Sequence, residues 1–166
     1  DAVVCVVGWP TAVLHALASR GDVRIFVVES NGDGDAAVER LASMDVEATL
    51  VQFEELSRVV SGCDLVIVEA LAAGPTEVLC TAGSHAVAAL AYCLQKPVWL
   101  VTACGTRLPT ALWSAMVAGD AANEVDLLST SLFSRVISKN GVSDDLSQPF
   151  EAECPPTTEM LRHSAM

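Results

Sequence analysis

The sequence predicts an α/β fold: a doubly wound, mainly parallel sheet with helices on both faces (Rossmann-like). Three observations predict it. Short apolar runs, suited to strands buried on both faces, alternate with segments of helical periodicity. That alternation implies parallel pairing through right-handed helical crossovers. The stretch from Asp64 to Pro109 also reads as one βαβ unit: apolar strand, Gly/Pro loop, amphipathic helix, apolar strand, small polar loop.

The elements follow in order. Ala2–Val7 is a continuous apolar run and the first strand. Gly8-Trp9-Pro10-Thr11 is a turn, and Thr11 is placed to cap a helix over Ala12–Ser19 that Gly21 stops. Val23–Val28 is the second strand. The loop from Asn31 ends at Asp35, which can cap a helix over Ala36–Met44. Ala48–Phe53 is the third strand, and Glu54–Ser61 a short helix with acidic residues at the favourable end of its dipole. Leu65–Glu69 is the fourth strand. Ser84–Gln95 is a helix whose Val87, Leu90, Ala91 and Leu94 share one face. Val98–Thr102 is the fifth strand, led by Pro97 where a missing N–H is tolerated. Helices are expected over Leu112–Ala118 and over Thr130–Lys139, the latter ending at Asn140-Gly141. No internal repeat or low-complexity segment interrupts the pattern.

The chain has 166 residues, enough to bury roughly 70% of the surface its unfolded form exposes. The expected division is one Rossmann-like domain over 1–142 and a polar tail over 143–166, with Pro149, Pro155 and Pro156 in the tail. The formal charge is −12, which argues against nucleic-acid binding, since phosphate backbones need clustered Lys and Arg. It also argues against an anionic membrane surface, and no apolar run approaches the ~18 residues of a membrane span. Six cysteines form no CxxC and no zinc-type Cys/His spacing. Their positions within expected strands and helices suit reduced thiols and a cytoplasmic chain. The start at Asp1, without an initiator Met or a charged leader, reads as a processed, trimmed or truncated chain.

Several chemistries lack their signatures. There is no Gly-x-Gly-x-x-Gly and no phosphate loop ending in Gly-Lys-Ser/Thr, so no dinucleotide or nucleoside-triphosphate cofactor is expected. Asn31–Asp35 lacks the length and closing Glu of a calcium loop. No metal is expected. Ser84 and His85 are adjacent on a helix and cannot face each other, and there is no nucleophile elbow. His15 reads as a surface or core-packing residue, and His163 lies in the tail. Trp99 reads as core, and Trp9 is placed for exposure beside the crevice.

In a doubly wound sheet the ligand crevice lies beyond the strand carboxyl ends where the winding reverses. With strands one to three winding one way and four and five the other, that point falls between strands one and four. Gly8, Trp9 and Thr11, then Glu69, then Gly83 and Ser84, then Arg107 converge there. The helix start at Gly83-Ser84 offers free N–H groups for a phosphate or carboxylate, and Arg107 offers a cation. The same residues equally suit plain helix capping and a solvated arginine.

These segments resemble the initiation factor 2B alpha/beta/delta-like family, which includes isomerases of methylthioribose-1-phosphate and ribose-1,5-bisphosphate. VRIFVVES at Val23–Ser30 is similar to the family's strand ending in Thr-Glu-Ser, and DLVIVEA at Asp64–Ala70 to its Asp-Leu-Val-(Ile/Leu)-Val-Gly-Ala. AGSHAVAALAYCLQKPVWLV is similar to its Gly-Thr helix and Pro-led strand, and EVDLLSTSLFSRVISKNG to its closing segments. The resemblance implies a translation-initiation-factor-like Rossmann domain that pairs into a homodimer, with a phosphorylated sugar or nucleotide at the crevice.

The departures from the isomerase pattern fall on the reacting groups. The family's catalytic Cys falls on Val7, with Cys5 two residues earlier. Its Asp falls on Leu71. Its Asn-Lys falls on Cys80-Thr81, its late Lys matches Arg107, and the preceding Glu falls on Cys104. An isomerase needs an acid and a base within reach of the sugar, and Glu69 and Glu77 are the carboxylates nearby. Three functions therefore stand: a non-catalytic relative binding a phosphorylated small molecule or a protein partner; an isomerase with its acid and base relocated to Glu69 and Glu77; and a purely structural interaction module.

Overall fold

The computed structural model describes residues 2–118, 125–146 and 150–153. Strand β1 (Ala2–Val7) leads through α1 (Thr11–Arg20) to β2 (Val23–Val28), and α2 (Gly34–Ala42) leads on to β3 (Ala48–Val51). Helix α3 (Leu56–Gly62) returns the chain to β4 (Leu65–Ala73), and β5 (Glu77–Thr81) doubles back along it. Then come α4 (Ser84–Cys93), β6 (Val98–Thr102), α5 (Thr110–Val117), β7 (Val125–Ser129), β8 (Arg135–Ser138) and β9 (Gly141–Ser143).

The sheet runs β3-β2-β1-β4-β6-β8-β9, with β5 and β7 branching from β4. Pairing is parallel from β3 to β8, with Val4 opposite Ile25 on one side and Leu65 on the other. The β9, β5 and β7 pairings are antiparallel. The winding reverses between β1 and β4, where the alternation of elements placed it.

Two apolar layers explain the unbroken hydrophobic strands. Val4 and Val6 of β1 point to the face covered by Val13, Leu14 and Leu17 of α1 and by Ala37 and Leu41 of α2. Cys5 and Val7, one residue out of phase, point to the face covered by Val59 and Val60 of α3 and by Val87, Ala88 and Ala91 of α4. Burial on both faces leaves no polar side of the strand.

Several expectations are corrected. The segment Thr130–Lys139 is not a helix: it is a short 3-10 turn over Thr130–Leu132 followed by β8. Asn140-Gly141 does not end a helix but turns β8 back into β9, with Gly141 at φ 100°. That dipeptide is a strong hairpin signal because its residues tolerate positive φ. The region after Glu69 is not a loop, since β4 continues to Ala73 and pairs with β5. The third strand stops at Val51, and exposed Phe53 begins a 3-10 turn. Thr11 and Asp35 are not caps, because Pro10 and Asp33 precede the helices. Gly21 does stop α1, at φ 75° with its N–H on the Leu17 carbonyl. Trp99 is half-buried, with the Arg135 guanidinium 5.4 Å from its ring centroid. No helix among the described residues is long and apolar enough to cross a membrane. His163 and Cys154 lie outside the described residues.

Candidate functional site: the crevice between β1 and β4

At the carboxyl ends of β1 and β4 lies a cavity of about 170 Å³, walled by Val7, Trp9, Pro10, Thr11, Asp33, Val68, Glu69, Leu71, Thr81 and Ser84. It therefore brings together Trp9, Thr11, Glu69 and Ser84, as the sequence argument expected. Gly8 and Gly83, also expected there, precede wall residues in sequence but do not themselves line the cavity. Gly8 stands at φ 60°, its N–H on the Val28 carbonyl at 2.9 Å, and a Cβ there would meet Ser30 Cβ at 3.3 Å. Gly83 stands at φ 89° immediately before α4.

Glu69 decides the electrostatics. Its Oε2 accepts the backbone N–H groups of Ala12 at 2.9 Å and of Val13 at 3.1 Å. These are two of the orphan donors at the start of α1, the positive end of its dipole. The chain's own carboxylate thus occupies the place where a phosphate would bind. Burial pushes the Glu69 carboxyl above the ordinary glutamate range, against the opposing pull of the two N–H groups.

The start of α4 is satisfied in the same way. At α4 the His85 N–H donates to Asp126 Oδ2 at 2.8 Å. Before α2 the Gly32 N–H donates to Glu29 Oε1 at 2.8 Å. The cavity wall holds two carboxylates, Asp33 and Glu69, and no Lys or Arg among the described residues.

Arg107 does not line this cavity. It lies beside Ala73 at the far end of β4, donates to Thr102 Oγ1 at 3.3 Å, and stacks at 5.0 Å over the Phe150 ring. The phosphate-binding expectation loses its cation for that reason. Glu77 is also outside the wall. Cys80 pairs with Ala70, so Glu77 lies four residues along β5 from Thr81, the β5 residue in the wall. That offset is about 13 Å of strand, which sets Glu77 apart from the cavity that Glu69 lines.

The positions of the expected catalytic groups are apolar in three dimensions as well. Val7 is buried in the cavity wall. Leu71 sits where the β4–β5 register shifts, and that bulge leaves its side chain 57% exposed at the rim. A bulge re-aims a side chain, and the side chain presented here is a leucine. Cys5 is fully buried, and burial with the nearby Cys63 pushes its thiol up to about 12. It is no replacement nucleophile, because thiol reactivity belongs to the thiolate.

Sequence reasoning missed Thr81, Asp33, Ser30 and Asp126. Ser30 Oγ donates to the Ala82 carbonyl at 2.7 Å and lies 3.2 Å from Thr81 Oγ1, tying the β2 loop to the end of β5. The signal for Thr81 and Asp126 was the strand pair β5–β7, which sets Thr81 opposite Val125 and Cys80 opposite Asp126.

No family model matches the chain, and no curated protein matches it. Solved structures do. eIF2B beta from Chaetomium thermophilum matches with a TM-score of 0.67 at 18% identity, over 87% of this chain and 47% of that one. The Pyrococcus horikoshii OT3 translation initiation factor eIF-2B matches with a TM-score of 0.72 at 13% identity, over 87% and 58%. The tetrameric eIF2B-beta2-delta2 complex from C. thermophilum matches with a TM-score of 0.68 at 17% identity, over 86% and 50%. The chain spans about half the length of the chains it matches. At the level of fold, then, this chain is eIF2B-like: a mostly parallel α/β sheet of the kind seen in eIF2B subunits.

Proposed function

We propose that the chain is a non-catalytic relative of the initiation factor 2B alpha/beta/delta-like proteins that acts by pairing with another protein chain, in the first instance a second copy, in the reducing cytosol. The observation that carries this reading is the crevice itself. Its family-type reacting positions are Val7 and Leu71, and its strongest anion-binding donors already hold Glu69. A phosphorylated sugar or nucleotide would enter beside two carboxylates without a cation. A like-charge pair 4 Å apart costs about 4 kcal/mol at an effective dielectric of 20.

Apolar surface supports the pairing. Tyr92 is 62% exposed and Leu94 39% exposed at the end of α4. They adjoin a groove of about 570 Å³ at the amino ends of β6 and β8, lined by Tyr92, Pro97, Leu132 and Phe133 among others. Clustered exposed apolar side chains mark interaction surfaces. This face is at the opposite end of the sheet from the crevice, so assembly leaves the crevice open.

Sedimentation equilibrium at micromolar concentration tests the reading. A dimer that Tyr92→Glu converts to monomer is expected, with unchanged far-ultraviolet circular dichroism. A wild-type monomer that also fails to associate with an eIF2B-like subunit would overturn it.

A further inference from the structure

The segment Phe150–Glu153 lies as a short strap along the loop between β6 and α5. The Phe150 N–H donates to the Pro75 carbonyl at 3.0 Å, and the Glu153 N–H to the Arg107 carbonyl at 3.0 Å. Two side chains hold the strap as well. The Phe150 ring stacks on the Arg107 guanidinium, with 5.0 Å from ring centroid to Cζ. The Glu153 carboxylate accepts the Gly105 N–H through Oε2, and its Oε1 lies 3.4 Å from Lys139 Nζ. The Glu153 side chain is 8% exposed, so the carboxylate is seated among donors rather than solvated. Arg107 is served less well. Among the described residues its partners are Thr102 Oγ1 and the Phe150 ring, and its buried Nε has no hydrogen-bond partner. Buried donors are normally paired. The strap thus supplies a carboxylate to Lys139 and none to Arg107.

We infer that this groove is a docking site for an extended acidic segment of a partner protein, with two carboxylates three residues apart, and that the chain's own strap closes it. The second carboxylate takes the place of Glu153 on Gly105 and Lys139. The first takes the place of the Phe150 ring and makes a forked pair of hydrogen bonds with Arg107. Displacing the strap lifts that ring off the guanidinium and opens Arg107 to the segment. A tethered strap acts at an effective concentration on the order of millimolar, so the partner must offer a contact that the strap lacks. The Arg107 pair is that contact. A second copy's strap offers only the contacts already made, which argues for a different protein as the occupant. The formal charge of the chain is −12, so an acidic segment is repelled by most of the surface, and the two cations fix where it docks. The inference does not rest on self-pairing through Tyr92.

The probes are the acetylated, amidated peptide of residues 149–153 and the same peptide carrying Phe150→Glu. Each is titrated into the chain and followed by nitrogen–proton NMR at the Gly105 amide and the Arg107 Nε–H. Phe150→Ala in the chain loosens the strap, and Glu153→Gln does so by a second route should the first variant fail to fold. Saturable shifts at both reporters are expected, with the Phe150→Glu peptide binding at least fivefold more tightly than the native one. Arg107→Lys in the same chain should remove that advantage. Tyr92→Glu should leave it unchanged, which separates this site from the self-pairing face. No saturable shift in either chain, equal binding of the two peptides, an advantage that survives Arg107→Lys, or shifts spread over the surface would each overturn the inference. So would strap exchange between copies, seen as association of the wild-type chain that Phe150→Ala abolishes.

Discussion

Glu69 joins burial, helix capping and the crevice in one side chain, and its titration has a definite sign. Its carboxyl is raised by burial, so between the ordinary glutamate value and the raised one the folded chain binds more protons than the unfolded chain. Stability from this group is complete below the ordinary value and is lost as pH rises through the raised one. Glu69→Gln should therefore flatten the fall in stability across that window, measured as urea midpoints against pH. A midpoint series parallel to wild type would contradict the assignment. Glu69→Ala also removes the acceptor for Ala12 and Val13, and a loss of about 1 kcal/mol is expected, as for other N-terminal caps. The cysteines make a contrasting prediction. Burial holds Cys5 and Cys80 up at about 12, so a maleimide should label Cys93 and Cys104, which are exposed, well before either of them under native conditions.

Among the elements, the β4–β5 hairpin does most to shape the crevice and was least legible. Its strand residues include Ala72, Ala73 and Glu77, of modest strand character, and Gly74-Pro75 reads as a loop in isolation. What fixes it is tertiary: Gly74 N–H bonds the Glu77 carbonyl at 2.9 Å, and β5 gains β7 as a second partner. Gly74 itself is packed so that a Cβ would run into the Trp113 ring. Gly74→Ala should cost about 1–3 kcal/mol through overpacking, read as a lower denaturant midpoint with an unchanged slope. A neutral result would mean that Trp113 does not pack there. The β8–β9 hairpin was legible but misread. Val136 and Ile137 are β-branched, and Asn140-Gly141 suits a tight turn better than a helix end. Gly141→Ala, at φ 100°, should cost about 1 kcal/mol.

Across the whole molecule, the parallel β1–β4–β6 centre and its reversal of winding were readable because strands buried on both faces announce themselves as apolar runs, such as AVVCVV and LVIV. The antiparallel branch was not, since register and pairing across distant segments leave little local trace. The same holds for the site. Trp9, Glu69 and Ser84 were placed by their positions at strand ends and helix starts, whereas the use of Glu69 and Asp126 as internal helix anions depends on contacts 57 and 41 residues apart. Arg107 went astray because its loop continues parallel to β4 as far as Ala73, where the guanidinium meets Phe150. The result is a sheet with a crevice at its reversal of winding and two neighbouring helix starts, those of α1 and α4, held by the chain's own carboxylates.

The claim that this crevice has no sugar-phosphate chemistry is tested most directly by turnover. Ribose-1,5-bisphosphate and methylthioribose-1-phosphate would each be incubated with the chain, and conversion of aldose to ketose followed by carbon NMR. The account predicts no conversion above the uncatalysed rate with either compound. Conversion by the wild-type chain that Glu69→Gln abolishes would contradict it.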